Sequence, residues 1–447
     1  MFKKLHAKLG DFWWYSLMLF CACRAADVLN AVVGLWLVPK YVGPSELGAV
    51  MPLTSFAGFL ALPVGIFAMT FAKEMTTLAT RGEYGRMKSL MHGVFIGAGI
   101  FLILALVVSR LVLPAFLERI RIAEGSLGFL VVASAFISTV SPVYQNALQA
   151  LKRFKAISII NIIGAPIRLV AMLIAMPFRA LSGYFIGQAA PPAFTIAASV
   201  YALRRELAVP AVPYWSRSVL RHFLALLLGM AAYQMTSGFL SLVEQTALRQ
   251  RLPEIESAAY YMATRFSDIA SFVCGTLTMV LFPFTASLAA EGKPTRPLVI
   301  KSSLAMLATG ALLAAAFALV GRPLLSVLPN GEQYADYAWA IPWLIGILSL
   351  SAIQNFHTNT EVSAGRFGFL KWWVPLHVVF AAGLLAITGY GYFVNYIPSS
   401  WCDFLATHNF TSLKAMLVWF TVTTFIRTGI SLFELMRQPA HRIVRKE

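Results

Sequence analysis

Stretches of about twenty mostly apolar residues recur along the whole chain, and this feature constrains the fold more than any other. A helix needs about 20 apolar residues to cross the hydrocarbon core of a bilayer. The composition agrees, because 59% of the residues are hydrophobic and only 12% are charged, against about 25% charged in soluble domains. The sequence therefore predicts an all-α integral membrane protein.

About twelve such stretches can be placed along the 447 residues. The predicted spans cover residues 11–38, 47–72, 89–109, 125–149, 157–178, 180–203, 222–243, 258–290, 302–320, 337–360, 372–394 and 415–433. If the N terminus lies in the cytoplasm, 23 of the 36 Lys and Arg residues fall in cytoplasmic segments and nine in outer segments. By the positive-inside rule, both termini are expected in the cytoplasm.

The chain also resembles itself at an offset of about 210 residues. Asn146 aligns with Asn359, Arg153 with Arg366, and Pro114 with Pro323. Since each half then holds six helices, an even number, the two halves have the same orientation in the membrane. We expect two parallel-repeat lobes, residues 1–203 and 218–447, joined by a cytoplasmic linker over 204–217. Transporters of this plan bind substrate in a central cavity and alternate access by rocking.

Six charged residues lie in the interior of predicted spans, where a central arginine costs about 2.5–3.5 kcal/mol on insertion scales. They are Arg24, Arg168, Arg265, Arg427, Asp27 and Asp268. The spacing of three residues predicts an Arg24–Asp27 pair and an Arg265–Asp268 pair on shared helix faces. One interpretation is that these pairs lock helices together or that arginines reach the interface. The other is a positively lined cavity for an anionic ligand, since guanidinium groups suit phosphate oxygens.

Amide side chains inside or at the ends of spans are candidates for binding sugar hydroxyl groups. They are Asn146, Asn359, Gln188 and Gln234. The two intramembrane aspartates, Asp27 and Asp268, are candidates for a titrating group that couples transport to an ion.

Several function classes are excluded by motif. The sequence has no phosphate-binding Gly-x4-Gly-Lys loop and no Gly-x-Ser-x-Gly elbow. The spacing of its four cysteines fits no zinc site. No cofactor, no metal and no enzymatic activity are expected. The net charge of +17 follows from topology, so no nucleic-acid partner is expected.

Four segments carry a resemblance to a known family: Tyr-Val-Gly-Pro-Ser-Glu-Leu-Gly at 41–48, Ala-Ala-Tyr-Tyr-Met-Ala at 258–263, Gly-Arg-Pro-Leu-Leu-Ser-Val-Leu-Pro-Asn-Gly-Glu-Gln-Tyr-Ala at 321–335, and Arg153-Phe154. The chain resembles the polysaccharide (oligosaccharide-lipid) flippases of the multidrug/oligosaccharidyl-lipid/polysaccharide exporter superfamily. It departs from that family in the highly charged segment 249–256.

The resemblance implies two six-helix lobes and alternating access in a bacterial inner membrane. It implies a cargo of undecaprenyl-pyrophosphate-linked oligosaccharide, moved from the inner to the outer leaflet for surface or exopolysaccharide biosynthesis. Cavity residues such as Arg24 and Arg168 would then hold the pyrophosphate. The partners it implies are the lipid-linked glycan, the bilayer, and polysaccharide polymerase or export machinery.

Two other functions remain open. A multidrug cation antiporter of the same superfamily would need unpaired acids facing its cavity, but arginines outnumber acids in these spans. A membrane glycan polymerase or ligase would need a sizeable outer loop, whereas the longest predicted one covers only residues 395–414.

Overall fold

A computed structural model describes residues 24–123, 125–214, 217–290, 296–363, 367–387 and 412–437. Nearly all of these residues are helical, and no strand occurs among them. Each predicted span falls on a helix wherever the chain is described. The all-α fold and its plan of about twelve membrane helices are confirmed.

The chain divides into two compact units, Met1–Leu242 and Val243–Glu447. The first holds α1 (24–41, with a π-helical turn at Val33–Leu37), α2 (Pro44–Leu47), α3 (Val50–Thr80), α4 (Tyr84–Arg119), α5 (Gly125–Ala150), α6 (Phe154–Ala175), α7 (Ala180–Ala202) and α8 (Arg204–Leu207). Helix α9 (Arg217–Arg251) runs across the division. The domain boundaries proposed from the sequence, at 203 and 218, stay a prediction.

The second unit continues from α9. It holds α10 (Glu254–Ala290), α11 (Arg296–Val327), a 3₁₀ turn at Glu332–Tyr337, α12 (Ala340–Ser363), α13 (Leu370–Ile387) and α14 (Leu413–Arg437). The α6–α7 junction, where the predicted spans nearly merge, is a short turn at 176–179 that separates two full helices.

The helices of each unit pack in the same order. In the first unit α5 packs on α3, α4 and α7, and α6 packs on α7. In the second unit α12 packs on α10, α11 and α14, and α13 packs on α14. In both halves the fourth long helix is therefore the central one, as expected for a parallel repeat.

Apolar side chains also cover the outside of the helices. Among the described residues, six helices are long and apolar enough to cross a membrane. On α4 an exposed stripe at helical spacing includes Ile96, Ile100, Ile103 and Leu111, which is 78% exposed. A stripe of this kind would be unfavourable in water and is stabilised by lipid.

Two turns at the same end of the first unit close their helices with one left-handed residue. Gly82 (φ 70°) follows α3 and Lys152 (φ 56°) follows α5. In both cases the next amide bonds back to the helix, from Glu83 N to the Leu78 carbonyl at 3.0 Å and from Arg153 N to the Leu148 carbonyl at 2.9 Å. This is the Schellman arrangement, which favours glycine at the left-handed position.

We therefore expect Lys152→Gly to stabilise the protein by about 1 kcal/mol, because a side chain in the left-handed region costs about 1–2 kcal/mol and glycine's larger unfolded-state entropy offsets part of this gain. Thermal unfolding in detergent would report the change as a higher Tm. Lys155→Gly, in the first turn of α6, is the matched control and should lower the Tm. A lower Tm for Lys152→Gly would contradict the left-handed backbone conformation of residue 152.

Candidate functional site

A cavity of about 400 Å³ lies within the first unit. Its walls come from α1, α5, α6 and α7, and its polar lining includes Asp27, Asn30, Asn161, Arg168, Gln188 and Thr195. Ligand sites typically occupy about 300–1,000 Å³ and place a few polar groups on an apolar wall. Three of the residues singled out from the sequence, Asp27, Arg168 and Gln188, meet here.

Small residues and prolines open this space. Gly164 and Ala165 on α6 leave room that longer side chains would fill, and Pro191 and Pro192 on α7 form the facing wall. A proline has no N–H to donate to the carbonyl four residues earlier. The Gln188 carbonyl therefore cannot accept the usual helical hydrogen bond from residue 192.

Arg168 joins α6 to α1 across the cavity. Its Nη1 donates to the Asn30 Oδ1 at 2.5 Å, and the side chain is partly buried. The two residues are 138 positions apart in the sequence. A guanidinium group carries five donors, so Arg168 can make several hydrogen bonds at once.

Arg24 and Asp27 form the ion pair that their spacing predicts. Arg24 Nη2 lies 3.0 Å from Asp27 Oδ2, and the two side chains are 30% and 23% exposed. Asp27 lines the cavity, whereas Arg24 lies one helical turn away and reaches the cavity through Asp27. The carboxylate is thus accompanied by a guanidinium at close range.

Of the side-chain amides predicted from the sequence to bind sugars, Gln188 lines the cavity, whereas Asn146 and Gln234 lie elsewhere. Gln188 Nε2 donates to the Tyr184 hydroxyl at 2.7 Å, along α7. Gln145 Nε2 donates to Asn161 Oδ1 at 3.0 Å, which joins α5 to α6 at the cavity wall. Asn146, beside it on α5, and Gln234 on α9 are partly buried and do not line the cavity. The side chain of Asn359 lies outside the described residues.

The remaining predicted residues belong to the second unit. Arg265 Nη1 lies 3.0 Å from Asp268 Oδ2, the second pair predicted by spacing, and Arg265 also lies over the Tyr261 ring at 5.2 Å. Arg427 bonds within α14, with Nη2 at 3.0 Å from Thr424 Oγ1. These three residues are not among those that line the first-unit cavity.

Arg427 has an acidic neighbour that sequence spacing could not reveal. Its charge acts on the carboxylate of Glu244, which comes from α9. Arg427 also lines a small cavity of about 20 Å³ with His357, Glu361 and Glu434. His357 is held between Ser303 and Ser431, at 2.9 and 3.0 Å from its two ring nitrogens.

The charged segment 249–256 has a structural role at the end of the second unit. Arg249 is fully buried at 0% exposure, inside α9 and not in an outer loop. Glu256 Oε2 accepts a hydrogen bond at 2.7 Å from the Leu413 amide, which starts α14. A carboxylate at a helix N-terminus satisfies an open amide and the helix dipole. Glu256, one of the charges that depart from the family resemblance, thus has a structural role.

Two cavity residues were missed by sequence reasoning although a signal existed. Asn30 lies three residues after Asp27 and so shares its helix face. Asn161 lies seven residues before Arg168, two turns away on the same face. Both residues can therefore be predicted from the sequence as polar residues that share a helix face with an intramembrane charge.

Several solved structures have this fold. The chain matches an inward-facing multidrug resistance MATE family transporter of the MOP superfamily, with a TM-score of 0.67, 14% identity, and coverage of 92% of this chain and 94% of that one. It matches the Vibrio cholerae MATE transporter VcmN in the bent form, with a TM-score of 0.58, 14% identity, and coverage of 98% and 97%. It also matches the lipid II flippase MurJ in an inward closed conformation, with a TM-score of 0.62, 13% identity, and coverage of 95% and 88%.

No protein-family model and no curated protein sequence matches the chain. The likeness is therefore one of fold. It extends over nearly the full length of this chain and of each structure that it resembles.

Proposed function

We propose that this protein is a flippase that moves an undecaprenyl-pyrophosphate-linked oligosaccharide from the inner to the outer leaflet, for surface or exopolysaccharide biosynthesis. The observation that carries the proposal is Arg168, which lines a 400 Å³ cavity together with the side-chain amides of Asn30, Asn161 and Gln188. The pyrophosphate would bind at Arg168, and the first sugars would bind at the amides.

The charge of the cavity favours an anionic headgroup. Asp27 is the one acid among the described lining residues, and Arg24 accompanies it. Arg168 is the basic residue among the described lining residues, and a guanidinium can bind phosphate oxygens with two parallel hydrogen bonds. None of the described lining residues is aromatic, although aromatic faces are the usual partners of organic cations.

Transport would follow the alternating-access plan of proteins with parallel repeats. The headgroup binds in the cavity while the polyprenyl tail stays in lipid, and rocking of the halves exposes the site to the opposite leaflet. We place the protein in a bacterial inner membrane with both termini in the cytoplasm, beside polysaccharide polymerase or export machinery. Asp27 in the first unit and Asp268 in the second are the proposed ion-coupling groups.

A multidrug cation antiporter is the second candidate. The observation that favours it is the carboxylate of Asp27, which lines the cavity and is 23% exposed. In this function a proton and an organic cation would compete for Asp27, and Arg24 would leave the carboxylate when the drug binds.

Titration of the purified protein in nanodiscs distinguishes the two functions. With undecaprenyl pyrophosphate and a cationic dye as ligands, we expect saturable binding of the lipid and no proton-sensitive binding of the dye. Undecaprenol without the pyrophosphate is the matched control and should bind much more weakly, because it lacks the anionic group. Dye binding that protons displace, together with no response to the pyrophosphate lipid, would reject the flippase and favour the antiporter.

A further inference from the structure

The segment between α8 and α9 presents an exposed apolar surface. Residues 208–213 read Ala-Val-Pro-Ala-Val-Pro, and all six are exposed, with Val209 at 40% and Val212 at 45%. We call this segment the apolar strap. The residues on either side of it, Leu207 and Tyr214, pack against the hydrophobic core of the first unit. The apolar strap is therefore exposed between two anchored ends, although one methyl group of Val212 lies against Gly85 of α4.

Backbone contacts fix this orientation. Val212 N donates to the Gly85 carbonyl at 3.0 Å, and Lys88 Nζ donates to the Val209 carbonyl at 3.2 Å. At the C-terminal end of the apolar strap, the Tyr214 hydroxyl donates to Glu74 Oε2 at 3.0 Å. Burial and this hydrogen bond raise the pKa of Tyr214 to about 12.

The contacts also give the depth of the apolar strap. Gly85 and Lys88 belong to the first two turns of α4, and the third predicted span begins at Ser89. A helix rises 1.5 Å per residue, so Gly85 lies about 6 Å from the start of the predicted hydrocarbon segment. Gly85 therefore lies at the depth of the lipid headgroups, which form a layer roughly 5–8 Å thick on each side of the hydrocarbon core.

The neighbouring charges complement an anionic surface. Arg204 and Arg205 are exposed, and Arg204 lies 4.2 Å from the ring of Tyr201, which is 67% exposed. Exposed tyrosines are typical of membrane–water interfaces. The adjacent acid, Glu206, is engaged by Arg153 in an ion pair. The exposed charge beside the apolar strap is therefore positive.

We propose that the apolar strap inserts into the headgroup–acyl boundary of an anionic bilayer leaflet. Apolar side chains aimed outward, with arginines beside them, are the two features of segments that lie in this boundary. Val209 and Val212 enter the lipid, and the two arginines bind lipid phosphates. The connection between the halves is then an interfacial anchor that holds the first unit at a fixed depth, and not a free linker.

Lipid quenching of a fluorescent label tests this directly. The four cysteines, Cys21, Cys23, Cys274 and Cys402, are replaced by serine, and Val212→Cys is labelled with an environment-sensitive dye. In phosphatidylglycerol vesicles we expect roughly twofold stronger quenching by lipids with a nitroxide high on the acyl chain than by aqueous iodide, as for a group at the headgroup–acyl boundary. Val209→Cys repeats the measurement if Val212→Cys reconstitutes poorly.

Lys152→Cys is the matched control, because Lys152 is an exposed polar residue in a turn at the same end of the unit. Its label should be quenched mainly by iodide. Iodide quenching of the Val212 label equal to that of the control would overturn the proposal. Protection from both quenchers would overturn it too, since protein and not lipid would then cover the apolar strap.

A change of lipid headgroup tests whether the arginines beside the apolar strap bind anionic lipid. Replacing phosphatidylglycerol by phosphatidylcholine should reduce lipid quenching of the Val212 label, and R204Q/R205Q should remove the difference between the two lipids. A difference that survives R204Q/R205Q would overturn the role of these arginines.

Discussion

Replacing Arg168 by alanine is expected to weaken binding of undecaprenyl pyrophosphate about 10- to 150-fold. A hydrogen bond to a charged group contributes about 1.5–3 kcal/mol, and 1.4 kcal/mol corresponds to a tenfold change in Kd. Arg168→Ala also leaves Asn30 Oδ1 without the donor that holds it at 2.5 Å. Arg168→Lys should give an intermediate affinity, because it keeps the charge and loses the planar pair of donors.

Arg322→Ala is the matched control for Arg168→Ala. Arg322 forms an exposed pair with Asp336 at 3.4 Å, and the two side chains are 72% and 87% exposed. Its loss removes the same charge from the protein outside the cavity, so the affinity for the lipid should not change. Equal affinities of Arg168→Ala, Arg322→Ala and the wild type, titrated in the same nanodiscs, would show that Arg168 does not bind the pyrophosphate.

The second large effect is expected at Gly183, where α7 begins beside the end of α6. A Cβ at this position would lie 2.5 Å from the Met176 amide nitrogen and 2.6 Å from the Ala175 carbonyl carbon. These are backbone atoms and cannot rotate away. Gly183→Ala should therefore destabilise the protein by about 1–3 kcal/mol, the usual cost of overpacking, and lower the Tm of the detergent-solubilised protein.

Gly99→Ala provides the comparison for Gly183→Ala. Gly99 lies within α4, and a Cβ there would meet nothing within 4 Å. Alanine is the better helix former by about 1 kcal/mol, so the Tm should stay the same or rise. If Gly183→Ala left the Tm unchanged while Gly99→Ala behaved as expected, the close approach of α6 and α7 would be contradicted.

Gly183→Ala also tests how the cavity is built. Arg168 lies on α6 and Gln188 on α7, so their separation depends on the turn at 176–179. Displacement of α7 by the added methyl group would move these two groups apart.

Interactions within one helix could be predicted from the sequence. The spacing of three residues indicated the Arg24–Asp27 and Arg265–Asp268 pairs, and both are observed at 3.0 Å. The helix geometry alone brings such side chains together. The same holds for the positions of the helices, because the length of an apolar stretch is set by the thickness of the bilayer.

Interactions between helices could not be predicted in this way. Arg168 had no acidic neighbour at helical spacing, and it bonds to Asn30 on another helix. The charge of Arg427 acts on the carboxyl group of Glu244 on another helix, which the sequence placed just beyond the end of a span. Neither pairing leaves a trace in local spacing, since it depends on how closely small residues let two helices approach.

The sequence by itself determined that the chain is a bundle of apolar helices, where those helices lie, and which charges within them are unusual, because bilayer thickness and helix periodicity act on local stretches of chain. The tertiary structure decided which of these charges share a cavity. It joined Arg168, Asp27 and Gln188 in the first unit and left Arg265, Asp268 and Arg427 in the second. That selection depends on contacts between residues far apart in the sequence, which only the packing of the helices establishes.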